Sequence, residues 1–350
     1  MNKIILILLA VLLALTAAGI SSSASKKLTA PSASLKAGSD GQPQIVHLNT
    51  AARDPKIFFT LDGKDPTTHS RQIIRGIPLN QSTTIRTLSS SSSGSIGQVS
   101  EFTHTVETRK SIARKFLSFT DHSIPYRLFI PEDYTPEKRY PLVLFLHGRG
   151  DRGSDNTRQL LGSDGAAVWA SFDVQRKHPC FVLAPQARRS YDGGFSVTRD
   201  RHNRLNPSTA FQESKDGRAA YEIVMKTIHS YSIDRTRIYA TGLSQGGFGT
   251  FTINAEHPEL FAAMIPISGG GDPGTAAIIK DKPMWIFHAA DDQTIPVSYS
   301  RNMVHALKKA GAHPIYTEYP PSMKIGHGAW VPAYKNHEVI EWLFQQRMRK

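Results

Sequence analysis

The most informative part of the chain is residues 237–250, which read Arg-Ile-Tyr-Ala-Thr-Gly-Leu-Ser-Gln-Gly-Gly-Phe-Gly-Thr. Apolar residues that favour β-strands precede Ser244, and a helical pattern follows it. This order predicts a strand, a sharp turn at the serine and then a helix. Gly242 and Gly246 complete the pattern G-x-S-x-G, because larger neighbours would collide in so tight a turn. Such a turn lifts the hydroxyl clear of the sheet and aims a helix N-terminus at developing negative charge. The pattern therefore indicates a nucleophilic serine.

Residues 109–350 alternate between apolar strands and amphipathic helices. Strands are predicted at residues 126–130, 142–147, 180–184, 237–241, 263–268, 284–289 and 314–318, and helices at 214–231, 245–257, 298–310 and 334–347. This alternation predicts a mostly parallel sheet with helices on both faces, and the serine turn makes it an α/β-hydrolase fold. We therefore expect the active site at the carboxyl ends of the strands.

Residues 25–108 are rich in Ser, Thr and β-branched residues and have no helical period. Short strands are predicted at 45–48, 57–61, 85–88 and 99–106, with a Ser/Gly-rich loop or linker at 89–97. Asp62-Gly63 has the residue types of a tight turn. The pattern predicts a small all-β sandwich domain.

The first 24 residues have the features of a secretory signal peptide. Lys3 precedes an apolar run from Ile4 to Leu15, and small residues follow. An uncleaved membrane anchor is the competing interpretation, but this run is short for a hydrocarbon core of about 30 Å. We expect a secreted or periplasmic protein with no stable membrane insertion after the signal is removed.

Composition and charge narrow the range of functions. Cys180 is the only cysteine, so no internal disulfide can form, and its apolar surroundings favour a buried thiol. The formal net charge of +13 invites a nucleic-acid interpretation, but Lys and Arg are scattered without a basic block. We expect a solvated basic surface and no nucleic-acid partner. Neither an H-E-x-x-H pair nor a dinucleotide glycine loop is apparent, so no metal or cofactor is expected.

A nucleophilic serine needs a general base, and in this fold the base follows the nucleophile and the acid along the chain. His327 lies between Gly326 and Gly328, in a loop after the last apolar strand. Four other histidines after Ser244 lie in predicted helices, at helix ends or in an apolar strand: His257, His288, His305 and His313. His327 is therefore the predicted base.

The acid and the oxyanion hole are predicted in loops that follow other strands of the sheet. Asp291 and Asp292 both follow the strand at 284–289, and only one can face the imidazole. We favour Asp292 and expect Asp291 to act as a turn or cap residue. The oxyanion hole needs backbone N-H groups, for which we predict Gln245 and Arg149, with Gly150 as the alternative to Arg149.

Loops 150–175 and 186–212 are predicted to cover a substrate pocket. Three aromatic residues are candidates for its apolar wall, although each fits a core position equally well: Trp169, Phe195 and Trp330.

Residues 147–156, 241–250 and 268–272, together with the segments around Asp292 and His327, resemble bacterial carboxylesterases related to feruloyl esterases and polyhydroxybutyrate depolymerases. The resemblance implies an α/β-hydrolase fold and hydrolysis of carboxylic esters through an acyl-enzyme. Aligned on that pattern, the acid falls four residues after His288, which also favours Asp292.

Residues 58–67 and 82–86 resemble the C-terminal β-sandwich domain of chitobiases and β-hexosaminidases. This resemblance implies either a spacer or a carbohydrate-binding surface in the first domain.

The leading expectation is a secreted esterase acting on cell-wall polysaccharide esters, feruloylated or acetylated, or on related aryl and alkyl esters. A serine peptidase of the prolyl-peptidase type is one alternative, although such enzymes usually carry a larger gating domain. A non-catalytic carbohydrate-binding protein is another, and it is opposed by the presence of Ser244, Asp292 and His327 together.

Overall fold

The computed structural model of the protein describes residues 31–36, 44–50, 56–74, 76–79, 82–92, 94–104, 107–190, 194–199, 202, 205–207 and 210–348. They fall into two compact units, one within Met1–Val106 and one within Glu107–Lys350. The predicted signal peptide, residues 1–24, lies outside the described residues. Among the described helices, none has the length and hydropathy needed to cross a membrane.

The first unit consists of two antiparallel sheets. Its strands are β1 Ser32–Lys36, β2 Gln44–Asn49, β3 Lys56–Thr60, β4 Arg71–Gln72, β5 Ile77–Leu79, β6 Thr83–Ser90 and β7 Ser100–His104. The sheets have the orders β1-β2-β5 and β4-β3-β6-β7. Apolar side chains from both sheets form one core: Val46, Leu48, Ile57, Phe59, Ile77, Leu79 and Ile85. This is the all-β sandwich predicted from the sequence.

The second unit contains the remaining strands and all the described helices. Its strands are β8 Leu117–Phe119, β9 Tyr126–Phe129, β10 Tyr140–Leu146, β11 Phe181–Pro185, β12 Val197–Arg199, β13 Leu205–Pro207, β14 Ile233–Leu243, β15 Ala263–Ile267, β16 Trp285–Ala289 and β17 Ile315–Tyr319. Its helices are α1 Arg109–Ala113, α2 Arg158–Leu161, α3 Phe172–Lys177, α4 Lys215–Ser230, α5 Gln245–Glu256, α6 Ser298–Lys309, α7 Trp330–Lys335 and α8 His337–Gln345.

Eight of these strands form one sheet in the order β17-β16-β15-β14-β10-β11-β9-β8. The six strands from β17 to β11 are parallel, and β9 pairs antiparallel with both β11 and β8. Every residue of the central strand β10 is buried, because helices cover both faces of the sheet. Val143 and Phe145 pack in the core that contains α8, whereas Leu142 and Leu144 pack in the core that contains α4. The predicted α/β-hydrolase fold is confirmed.

The last predicted helix differs from the structure. The pattern at 334–347 suggested one helix, but the chain forms α7 and α8, which are separated at Asn336. The Asn336 side chain accepts a hydrogen bond from the Glu338 amide (2.9 Å), so it caps a new helix instead of continuing the old one. Helices α1 to α3 and the hairpin β12-β13 were not predicted, since elements this short show no clear period.

Asp216, in the first turn of α4, fixes the loop that follows β11. Its side chain is fully buried and accepts hydrogen bonds from Arg188 Nε (2.5 Å), the Arg188 amide (3.0 Å) and the Gly194 amide (2.8 Å). We expect Asp216→Ala to lower the free energy of unfolding of this unit by about 3 kcal/mol, because it leaves buried donors unpaired.

This prediction can be measured on the full chain by tryptophan fluorescence during urea unfolding, since all four tryptophans lie in the second unit. Asp173→Ala, at an exposed position in α3, is the control. An unfolding midpoint for Asp216→Ala equal to that of the control would contradict the prediction.

Candidate active site

Ser244 lies on a sharp turn between β14 and α5. Its backbone has φ 54° and ψ −119°, a conformation that is costly for any residue with a side chain. A Cβ atom on Gly246 would lie 1.8 Å from the Leu146 carbonyl oxygen, and one on Gly242 would lie 2.4 Å from the Gly246 oxygen. Only glycine fits at these two positions, which is the steric reason for the G-x-S-x-G pattern.

His327 is hydrogen-bonded to both other residues of the predicted triad. Its Nε2 lies 2.9 Å from Ser244 Oγ, and its Nδ1 lies 2.7 Å from Asp292 Oδ2. The residues follow β14, β16 and β17, so all three lie at the carboxyl edge of the parallel sheet. Gly326, immediately before the histidine, has φ +56°, which lets the loop turn sharply there.

Asp292 remains ionised although its side chain is fully buried. Burial raises the pKa of Asp292, but hydrogen bonds from His288, His327 and the Ile295 amide outweigh burial and hold this pKa well below its usual range. The second oxygen, Oδ1, accepts from the amides of Thr294 (2.8 Å) and Ile295 (2.9 Å). The carboxylate is therefore fixed in one orientation toward the imidazole.

Asp291, the alternative acid, points to a different part of the same loop. Its Oδ1 accepts a hydrogen bond from the Gly326 amide (3.0 Å). This contact holds the loop that carries His327, but it leaves the imidazole to Asp292. Of the two adjacent carboxylates, the structure brings only Asp292 to the histidine.

His288 is a further neighbour of the acid that sequence reasoning treated only as a packed residue. It is fully buried, with Nε2 3.0 Å from the Ile295 carbonyl oxygen and 3.3 Å from Asp292 Oδ2. Its Nδ1 lies 2.7 Å from Ser300 Oγ. The spacing of four residues between His288 and Asp292 is the sequence feature that could have indicated this contact.

Two backbone segments meet beside Ser244. Gln245 is the first residue of α5, where amide groups point away from the helix. Gly148 packs so closely against the serine that a Cβ on it would lie 3.5 Å from Ser244 Cβ. In the short turn Arg149–Asp151, the Asp151 amide bonds to the Gly148 oxygen (3.0 Å), whereas the amide of Arg149 donates to no group in the described part of the chain. The amides of Gln245 and Arg149 are thus candidates for an oxyanion hole, with the Gly150 amide, which also donates to no group among the described residues, as the alternative to Arg149.

His147 connects the loops that follow β10 and β11. It is fully buried, with Nε2 accepting from the Ala187 amide (3.0 Å) and Nδ1 donating to the Gly148 oxygen (2.7 Å). Burial lowers the pKa of His147 from its ordinary 6.5 to about 4. The side chain is therefore neutral at pH 7, and its hydrogen bonds hold the two loops together.

We expect the contribution of His147 to the stability of this unit to fall as the pH drops from about 6.5 to about 4. In that range the unfolded chain protonates His147 and the folded chain does not, so acid favours unfolding. The resulting loss is about 2 kcal/mol at pH 5 relative to pH 7.

Urea unfolding followed by tryptophan fluorescence measures this loss, and His147→Gln should remove this part of the pH dependence. His305→Gln, at an exposed position on α6, should retain it. Equal slopes for His147→Gln and wild type would refute the assignment.

The three aromatic residues predicted for the pocket wall have different locations. Trp330 is half-buried, and its ring stands at 89° to the His327 ring with 5.1 Å between centroids. Trp169 and Phe195 have no exposed surface. Trp169 packs in the core against Tyr334 and Phe344, and Phe195 packs between His147 and Phe211. The pocket prediction was wrong for Trp169 and Phe195, because burying these large rings in the core removes the most apolar surface from water.

The fold and the site together define a serine hydrolase of the α/β-hydrolase class. A strained serine after a central parallel strand, a histidine bonded to it and a buried carboxylate behind the histidine form the arrangement that activates a hydroxyl for attack. Among the described residues, no group of three or more His, Cys, Asp or Glu side chains is arranged to bind a metal ion.

The chain belongs to the family described as putative esterase, whose model matches residues 118–310. It is thus a serine hydrolase acting on esters. The model of the chitobiase/β-hexosaminidase C-terminal domain matches residues 35–101, within the first unit.

The similarities to individual proteins are consistent with membership of this family. A solved structure of a thermostable esterase is 36% identical, with a TM-score of 0.63, and the match covers 91% of this chain and 90% of that one. Poly(3-hydroxyalkanoate) depolymerase C of Paucimonas lemoignei is 28% identical over 37% of this chain. Probable feruloyl esterase C of Aspergillus niger is 23% identical over 59% of this chain. The matches span 28% of the depolymerase and 67% of the feruloyl esterase.

Proposed function

We propose that the protein is a secreted carboxylesterase in which Ser244 is the nucleophile, His327 the general base and Asp292 the supporting acid. The observation that carries this proposal is the unbroken line of hydrogen bonds from Ser244 Oγ to His327 (2.9 Å) and from His327 to Asp292 (2.7 Å). The distances allow proton transfer without rearrangement of the side chains.

In the first half-reaction, Ser244 Oγ forms a bond to the ester carbonyl carbon while its proton moves to His327 Nε2. The carbonyl π electrons move to the oxygen, which accepts hydrogen bonds from the Gln245 and Arg149 amides. When the tetrahedral intermediate collapses, the bond to the alcohol oxygen breaks and His327 gives its proton to that oxygen. Asp292 stabilises the imidazolium that exists between these two transfers.

In the second half-reaction, water replaces the alcohol. His327 accepts a proton from the water as its oxygen attacks the acyl carbon, and the same two amides bind the second oxyanion. Collapse breaks the bond to Ser244 Oγ, which takes back the proton from His327. The products are the free acid and the enzyme in its starting state.

Esters on cell-wall polysaccharides, with feruloyl or acetyl groups, are the proposed substrate class. The similarity to feruloyl esterase C supports an aromatic acyl group, and Trp330 beside His327 offers an apolar surface for it. The sandwich unit, which is similar to a domain of carbohydrate-active enzymes, is compatible with a polymeric substrate. Export is supported by the apolar run of residues 4–15.

The test is turnover of a matched set of substrates by the full chain: 4-nitrophenyl acetate, butyrate and ferulate, feruloylated and acetylated xylan, and a peptide 4-nitroanilide. We expect ester hydrolysis to exceed amide hydrolysis by orders of magnitude, with release of ferulate or acetate from the polymer. Faster cleavage of the anilide would favour a peptidase. No turnover, combined with retention on a polysaccharide column, would favour the non-catalytic alternative.

A further inference from the structure

A group of three arginines lies on one side of the candidate active site. Arg149 and Arg189 are exposed, and Arg152 is largely buried between them. The Arg152 guanidinium donates to the Ser190 oxygen through Nη1 (3.0 Å) and to the Arg149 oxygen through Nε (3.3 Å). It therefore joins the loop after β10 to the loop after β11. We call Arg149, Arg152 and Arg189 the arginine rim.

The rim is next to the reacting serine. Arg149 follows Gly148, whose backbone packs against Ser244, as the 3.5 Å approach of a Cβ on Gly148 to Ser244 Cβ indicates. The loop of Arg189 is held to the same place by the bond between the Ala187 amide and His147 Nε2 (3.0 Å). Both exposed guanidinium groups thus belong to loops that border the catalytic edge of the sheet.

The described carboxylates of this region form no ion pair with the exposed arginines. Asp216 is buried and bonded to Arg188, and Asp155 pairs with Arg158 at 3.3 Å. Neither Arg149 nor Arg189 forms an ion pair with a carboxylate in the described ranges of the chain. Burial lowers the pKa of Arg152, and the positive charges of Arg149 and Arg189 lower it further while Asp216 opposes them, which is consistent with close spacing of the three arginines. Within the described residues, the rim is therefore a local excess of positive charge.

We propose that the arginine rim binds carboxylate groups of the substrate polymer, so that the preferred substrate is an ester carried by an acidic, uronate-containing polysaccharide. This inference rests on the proposed esterase function and specifies its substrate class. Guanidinium groups bind carboxylates through two parallel hydrogen bonds and attract them over longer distances before contact. A nucleic acid would also be attracted by this charge, but it carries no carboxylic ester for Ser244 to attack.

The test is calorimetric titration of the full chain carrying Ser244→Ala, which binds without turnover. The probes are hexagalacturonate and its fully methyl-esterified form, which has the same length and no charge. We expect the acid form to bind at least about tenfold more tightly at low salt, with a difference that shrinks as salt is added. Adding Arg189→Gln should weaken binding of the acid form about fivefold, and adding Arg149→Gln as well should weaken it about twentyfold.

Lys309→Gln, at an exposed position near the end of α6, is the matched control and should leave the affinity unchanged. Tryptophan fluorescence verifies that each variant is folded. Equal affinity for the two probes would overturn the proposal, as would full affinity in the double arginine variant. Tighter binding of a hexanucleotide than of hexagalacturonate would overturn it in favour of nucleic acid. Because binding is measured without turnover, these failures leave the esterase function to be judged by its own assay.

Discussion

We expect Ser244→Ala to lower kcat/KM for 4-nitrophenyl esters by about 10⁵-fold, because the three residues act as a unit and loss of the nucleophile removes the covalent route. The residual rate comes from the amides that bind the oxyanion and from substrate positioning. Initial rates on 4-nitrophenyl acetate and butyrate at pH 7.5 measure this effect. A fluorophosphonate probe should label the wild-type protein and fail to label Ser244→Ala.

The matched control for this variant is Ser268→Ala. Ser268 is also buried, also has a positive φ (48° compared with 54° at Ser244) and follows β15, the strand beside β14. Both substitutions remove a serine hydroxyl from a residue with positive φ, but only Ser244 Oγ is bonded to His327. We expect Ser268→Ala to retain activity within about tenfold of wild type. Equal activity of Ser244→Ala and Ser268→Ala would disprove the role of Ser244.

The second large effect is expected at the acid. Asp292→Asn should lower kcat/KM by about 10³ to 10⁴-fold, because an amide at this position cannot stabilise the imidazolium and favours the wrong tautomer of His327. Asparagine is isosteric with aspartate, so the substitution keeps the volume and removes the charge. In the wild type, two amides donate to Oδ1 and the imidazole contacts Oδ2. The kinetics of the same aryl esters, together with the urea unfolding curve, measure chemistry and folding separately.

Asp291→Asn is the control for the acid, since it changes the adjacent carboxylate in the same way. Asp291 contacts the Gly326 amide at 3.0 Å, so its loss affects only the anchoring of the His327 loop. We expect a loss of less than about tenfold for this variant. If Asp291→Asn lost more activity than Asp292→Asn, the assignment of the acid would have to be reversed.

The serine and the fold could be predicted because their causes are local. Gly242 and Gly246 flank Ser244 for a steric reason that appears in five consecutive residues, and buried parallel strands show themselves as apolar runs such as 142–147. His327 was predicted from its glycine-flanked loop, and the structure places its ring within hydrogen-bonding distance of Ser244. These features depend on neighbours in the sequence.

Other features depend on residues that are distant in the sequence. Trp169 and Phe195 occupy core positions because Tyr334, Phe344 and Phe211 surround them, and no periodic pattern records those contacts. The break between α7 and α8 depends on a side-chain cap at Asn336, which competes with continuation of the helix. The charge of the arginine rim arises because two loops separated by almost 40 residues are joined by Arg152.

The chemical groups of the site were therefore readable from the chain alone, since residue types and spacing identify a serine, a histidine and a pair of aspartates in the order that an α/β-hydrolase requires. The sequence already favoured Asp292 over its neighbour, whereas the contact of His288 with that carboxylate and the burial of two aromatic rings depended on the folded structure. The physical reason is that adjacent side chains on a loop point in different directions, and long-range packing determines which of them reaches its partner.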